Sequence, residues 1–111
     1  KNKIASSSMT VPIPDGSTVD LTIDITKETT IEEINNLLKN YSENELKNII
    51  GITYDPIVSS DVVRSTLSGL IDGLATMGIN NKKIKLIIWF DNGWGYASRI
   101  IDTIKRLGQE L

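Results

Sequence analysis

A chain of 111 residues is one domain or a piece of a larger one, long enough to bury a core. Charged residues make up 23% and hydrophobic residues 40%, and 12 Lys+Arg against 14 Asp+Glu leave a net charge of −2, too weak a field to recruit nucleic acid or an anionic membrane surface. Cys and His are both absent, which excludes disulfides, zinc thiolate sites, a thiol nucleophile and any Ser-His-Asp or Cys-His chemistry completed within the chain.

Lys1-Asn2-Lys3-Ile4 is followed by no apolar stretch, so it does not read as a signal peptide, and no run approaches the roughly 20 residues of a membrane span. Met9, Val11 and Ile13 alternate and suggest a strand, although Pro12 and Pro14 bar it from a central, fully paired position. Pro14-Asp15-Gly16 predicts a turn. Val19, Leu21, Ile23 and Ile25 then alternate with Thr18, Asp20, Thr22 and Asp24, the pattern of a half-buried strand. Asp20 and Asp24 share its wet face about 13 Å apart, too far to hold one metal ion. Thr30-Ile31-Glu32-Glu33 predicts a capping box opening a helix whose inner face carries Ile31, Ile34, Leu37 and Leu38. Asn40-Tyr41-Ser42 matches a glycosylation sequon and is read as chance. Ser42-Glu43-Asn44-Glu45 repeats the capping signal, and Leu46, Ile49 and Ile50 predict a second short helix stopping at Gly51.

Beyond Gly51 the pattern returns to strands: Ile52-Thr53-Tyr54, then Thr66 to Ile71, then Lys83 to Phe90. Gly73, Gly78 and Asn80-Asn81 predict bends between the last two. The run from Ile84 to Phe90 becomes continuously apolar and predicts a central strand covered on both faces. Asp91-Asn92-Gly93 ends it. Ala97, Ile100, Ile101, Ile104, Leu107 and Leu111 then lie at helical spacing, with Arg99, Asp102, Lys105 and Arg106 on the other face. The expected fold class is therefore α+β, a mainly antiparallel sheet with two short helices and a C-terminal helix.

Asp91-Asn92-Gly93 reads first as turn and cap chemistry. Its setting adds more: in Trp89-Phe90-Asp91-Asn92-Gly93-Trp94-Gly95-Tyr96-Ala97-Ser98-Arg99, four aromatics and two free-standing glycines surround a strand-to-helix corner. A planar ligand would find stacking faces and an amide donor and acceptor there, while core packing of the aromatics is the default.

This segment resembles the C-terminal signature of the phosphorylating glyceraldehyde-3-phosphate dehydrogenases and their erythrose-4-phosphate dehydrogenase relatives. Met9-Thr10-Val11-Pro12-Ile13-Pro14 with Val19-Asp20-Leu21-Thr22, Leu46-Lys47-Asn48-Ile49-Ile50-Gly51 and Val58-Ser59-Ser60-Asp61 resemble further family segments, in order and at family spacing. The resemblance implies the last third of a larger two-domain dehydrogenase. Residues 1–92 would be the second half of its catalytic domain, and residues 93–111 a C-terminal helix packed on an NAD-binding domain carried elsewhere in the parent. The nucleophilic Cys and the His base would precede this segment, so it supplies no catalytic residue and no metal ligand of its own.

By the same resemblance Asn92 matches the Asn whose amide fixes the nicotinamide carboxamide and so sets which ring face meets the thiohemiacetal. Tyr96 matches a Tyr beside the nicotinamide. Phe90 stands where an aromatic lies near the catalytic Cys, Asp91 caps or braces the corner, and Ser59, Ser60 and Asp61 are read as structural. Thr10 stands where the family has an Arg that binds phosphate. Gly93 stands where it has Glu, and Val62-Val63-Arg64 departs from the usual pattern. The implied parent is a cytoplasmic, homotetrameric glycolytic enzyme using NAD, glyceraldehyde 3-phosphate and inorganic phosphate, with no nucleic-acid or membrane partner. Erythrose 4-phosphate as substrate and NADP as cofactor stay open. Alone, the segment is expected to be inactive and to self-associate through the apolar stripe of its last helix. Two alternatives remain: a degenerate standalone or assembly module that kept the fold, and an unrelated α+β binding domain.

Overall fold

In a computed structural model, which describes residues 3–109, the chain forms five strands and two α-helices. Strand β1 (Ser17–Asp24) pairs antiparallel with β5 (Lys83–Phe90) along its full length, Ser17 opposite Phe90 and Asp24 opposite Lys83. β5 continues to β3 (Gly69–Asp72), antiparallel, and β3 to β2 (Ile50–Thr53), parallel. β4 (Met77–Ile79) is a short antiparallel addition to β5. The sheet is thus mixed but mostly antiparallel, and the α+β expectation holds. Lys1, Asn2 and Leu111 lie outside the described residues.

The two longest strands follow from side-chain alternation. Their register puts Ile23 opposite Ile84, Leu21 opposite Leu86 and Val19 opposite Ile88 on one face. On the other face Asp20 pairs with Lys85 at 2.7 Å and Asp24 with Lys83 at 2.6 Å. These exposed pairs fix little energy but match the wet-face reading of both carboxylates. β5 is central, as expected, but fully covered only at Ile84 and Leu86: residues 87 to 90, which alternate between its two faces, are half-buried.

Helix α1 (Ile31–Glu43) opens on the expected capping box. The Thr30 hydroxyl accepts from the Glu33 amide at 3.1 Å, and the Glu33 carboxylate accepts from the Thr30 amide at 3.0 Å. That bond, with a second from the Thr29 hydroxyl, holds the Glu33 carboxyl below its ordinary pKa. Asn35 ties the helix to the sheet by donating to the Gly73 carbonyl at 3.0 Å.

Several expectations are corrected. The Met9–Ile13 strand does not form: Met9 is exposed, and the segment's own backbone bond is a tight Ile13 to Val11 turn of 2.9 Å. Alternation without a neighbouring strand, interrupted by two prolines, gives no ladder. The second short helix does not form either. α1 runs through Ser42 to Glu43, and residues 44–49 are successive turns that include Asn48, whose φ of 64° cannot continue a helix. Gly51 is therefore no helix stop but lies inside β2. Finally, the Thr66–Ile71 strand begins only at Gly69, and the expected bend at Gly78 lies within β4. The Asn80-Asn81 bend is as read, with both residues at positive φ (55° and 54°) joining β4 to β5.

Helix α2 (Asn92–Gln109) follows β5 after a single residue. Its apolar stripe faces outward, with Ile101, Ile104 and Leu107 each more than half exposed. What holds it down is the side read as polar. The Arg99 guanidinium donates to Ser68 Oγ at 3.2 Å and to the Asn48 carbonyl at 3.3 Å, and pairs with Asp102 at 2.8 Å.

Candidate functional site

The corner between β5 and α2 is built around Asp91, which is only 2% exposed. One carboxylate oxygen accepts from the Trp94 amide at 2.8 Å, satisfying a donor of the first helical turn. The other accepts from the Arg64 amide at 2.7 Å. The Asp91 carbonyl accepts from the Gly95 amide at 3.0 Å and starts the helical ladder. Asp91 therefore caps and braces the corner, as read from sequence. The Trp94 amide, then that of Arg64, holds its carboxyl below the ordinary value of 3.8 despite burial, which pushes the other way.

The sign of the pH effect follows. A carboxyl whose pKa is depressed on folding adds stability that is complete above its unfolded value and lost as pH falls through the folded one. Urea midpoints of the wild type and of Asp91→Asn are therefore expected to differ at neutral pH and to converge below pH 3.8. A constant gap down to the acid limit contradicts this.

Asn92 occupies the first position of α2 and is exposed, and Tyr96 lies one turn on, 70% exposed. Four residues apart, they share a helix face. Neither side chain makes a hydrogen bond among the described residues, so the Asn92 amide keeps both donor and acceptor for a ligand. Trp94, half exposed, lies two residues from each and therefore on another face of the helix. A planar carboxamide fits these groups: it needs one acceptor and one donor in a plane, with an aromatic side chain at hand.

Thr10 is exposed on the segment preceding β1. Because β1 starts opposite Phe90, that segment approaches the sheet at the end where α2 departs. The structure thus puts Asn92 and Tyr96 on one helix face, whereas Thr10 is linked to that end of the sheet only through the chain leading to Ser17. Phe90, half-buried, is the last residue of β5. Ser59, Ser60 and Asp61 form a 3-10 turn closed by the Asp61 carboxylate, which accepts from the Val58 amide at 2.7 Å. Gly93 has ordinary room for a side chain, its Cβ position lying 3.5 Å from the Asp91 carboxylate.

Sequence reasoning missed the Arg64 bond to Asp91, for the only local sign was the departure at Val62-Val63-Arg64. A groove of about 600 Å³ lies between the loop after β1 and α1, at the opposite end of β1 from this corner, and holds none of the residues just described. Among the described residues no three His, Cys, Asp or Glu are grouped to hold a metal ion, and no helix is long and apolar enough to cross a membrane.

Residues 1–92 match the sequence model of the family described as glyceraldehyde 3-phosphate dehydrogenase, C-terminal domain. Glyceraldehyde-3-phosphate dehydrogenase of Borreliella burgdorferi is 47% identical over 109 residues, covering 96% of this chain and 32% of that protein. The Geobacillus stearothermophilus enzyme is 44% identical over 102 residues, covering 92% of this chain and 30% of its own length. The cytosolic enzyme of Pisum sativum is 39% identical over 109 residues, covering 98% and 32%. The chain spans about a third of the length of the curated relatives it matches.

Proposed function

The chain belongs to the glyceraldehyde-3-phosphate dehydrogenase family, matching its C-terminal domain, and on that premise we propose that it is the final third of an NAD-dependent enzyme that oxidises and phosphorylates D-glyceraldehyde 3-phosphate to 1,3-bisphosphoglycerate. The observation that carries this is the free, exposed Asn92 amide at the start of α2, above a fully satisfied Asp91. NAD, when bound, supplies the two-electron oxidant.

This chain's residues do the orienting. Asn92 would hold the carboxamide of the nicotinamide, accepting from its NH2 and donating to its carbonyl, and Tyr96 would line the same side. The Cys nucleophile and His base come from the rest of the parent, since this chain has neither. Residues 1–92 serve as the second half of the catalytic domain. Residues 93–111 are the C-terminal helix, whose outward apolar stripe is covered by the NAD-binding domain. The parent is a cytoplasmic homotetramer.

Thr10 brings one hydroxyl to a position where the family uses a guanidinium, so its grip on a phosphate is weaker. A second reading, an inactive module that kept the fold for assembly, draws on Thr10 and Gly93. The room at Gly93 favours the first reading, because the corner is not distorted by the lost side chain.

The test is NADH formation by the full-length parent given glyceraldehyde 3-phosphate, NAD and phosphate. Turnover is expected, and Thr10→Arg is expected to lower the KM of the phosphorylated substrate by tens- to about a hundred-fold, the worth of a charge-assisted bond of about 2–3 kcal/mol. A parent with no turnover on any aldehyde phosphate overturns the assignment, and one that also lacks NAD affinity favours the assembly module.

A further inference from the structure

We infer that Asp91 is a positioning residue for the cofactor: by clamping the first turn of α2 to the Val62–Arg64 turn it sets the angle at which Asn92 presents its amide. This rests on the proposed role of Asn92. Three observations carry it.

The Asn92 side chain has no hydrogen bond of its own among the described residues, so only its backbone fixes where the amide points. That backbone lies in the first helical turn, where unsatisfied amides make fraying easy. The Asp91 carboxylate removes this freedom in two directions at once. One oxygen caps Trp94 within the helix, and the other takes the Arg64 amide from a segment 27 residues away in sequence. With both oxygens engaged the carboxylate cannot rotate, so the turn is registered against the body of the sheet as well as against its own strand.

The partner is itself held firmly. Arg64 has a φ of 65°, a left-handed conformation rare for a side chain of its kind. Val62, two residues earlier, is fully buried. A cap alone would need one oxygen and no such partner. The second bond does nothing for helix start-up. It fixes the helix relative to the rest of the domain, which is what a group aiming at a ligand requires.

The test uses the full-length parent with Asp91→Ala and the more conservative Asp91→Asn, which keeps one oxygen acceptor. Asn92→Ala serves as reference, and Thr30→Ala, which uncaps α1 at the far end of β1, as a stability control. NAD affinity is read by titration calorimetry, opening of the turn by hydrogen exchange at the Trp94 amide, and ring orientation by which face of the nicotinamide receives deuterium as hydride from glyceraldehyde 3-phosphate deuterated at its aldehyde carbon. Asp91→Ala is expected to weaken NAD about ten-fold, to speed exchange at Trp94 and to place deuterium on both faces, with Asp91→Asn intermediate. Thr30→Ala should lower stability while leaving all three NAD readouts as in the wild type. If both Asp91 variants bind NAD like the wild type and keep one ring face, the carboxylate is only a cap and the inference is overturned, provided Asn92→Ala weakens binding. If Asn92→Ala also changes nothing, the role of Asn92 itself falls, and this inference falls with it.

Discussion

Gly95→Val is expected to cost more stability than any other single substitution in α2. A Cβ at position 95 would sit 2.7 Å from the carbonyl oxygen of Leu67, closer than real Cβ atoms come, and the opposing atom is backbone that cannot turn aside. Relief requires α2 to lift from residues 67–68. The same movement breaks the Arg99 bonds to Ser68 and to the Asn48 carbonyl, which lie on the helix face that holds it down. Overpacking alone costs about 1–3 kcal/mol, and the lost anchors add to it, against a total stability of roughly 5–15 kcal/mol for a domain. Gly108→Ala is the control, because nothing lies within 4 Å of a Cβ there. It should stabilise by up to about 1 kcal/mol through helix propensity. Urea unfolding read by tryptophan fluorescence decides the matter, and a Gly95→Val midpoint equal to the wild type would contradict the packing described.

Asn92→Ala carries the largest expected functional effect. The amide offers one donor and one acceptor, each worth about 0.5–1.5 kcal/mol net, so removing both should weaken NAD by about ten- to a hundred-fold in the full-length parent. Asn92→Asp should do little better: it keeps the shape but replaces the donor with a second acceptor and a charge. Stability should hardly move, since Asn92 is exposed and makes no bond in the fold. That separation distinguishes it from Gly95→Val, where stability and binding fall together. An Asn92→Ala enzyme with wild-type NAD affinity would remove the basis of the proposed function.

The parts of the fold legible in the sequence are those whose signal is local. β1 and the alternation opening β5 announce themselves by period, and the bounds Lys83 to Phe90 come out as read because Asn81 and Asp91 end the run on both sides. α1 starts where its capping box says. What fails is what depends on a partner. Met9 to Ile13 has the right period but no neighbour to pair with. Met77–Ile79 has no recognisable pattern and becomes a strand only because β5 runs alongside. Leu46, Ile49 and Ile50 have helical spacing, yet Asn48 turns left-handed and hands Ile50 to the sheet.

The site divides in the same way. Asn92, Tyr96 and Thr10 are proposed by resemblance, whereas the Asp91 cap was legible from its position before a helix. The bond from Arg64 was not legible, for it joins residues far apart in sequence through a backbone amide that any residue but proline possesses. Arg99 misled for a related reason. Charge on a helix face usually marks solvent, and here it reaches the carbonyl of a turn that no pattern places nearby.

The most direct measurement is the side-chain amide resonance of Asn92 in the asparagine-labelled full-length protein as NAD is added. The account predicts that this one resonance pair moves and saturates with the affinity found by calorimetry, and that it stays still when the nicotinamide is removed from the titrant as ADP-ribose. A resonance unmoved by saturating NAD would contradict it.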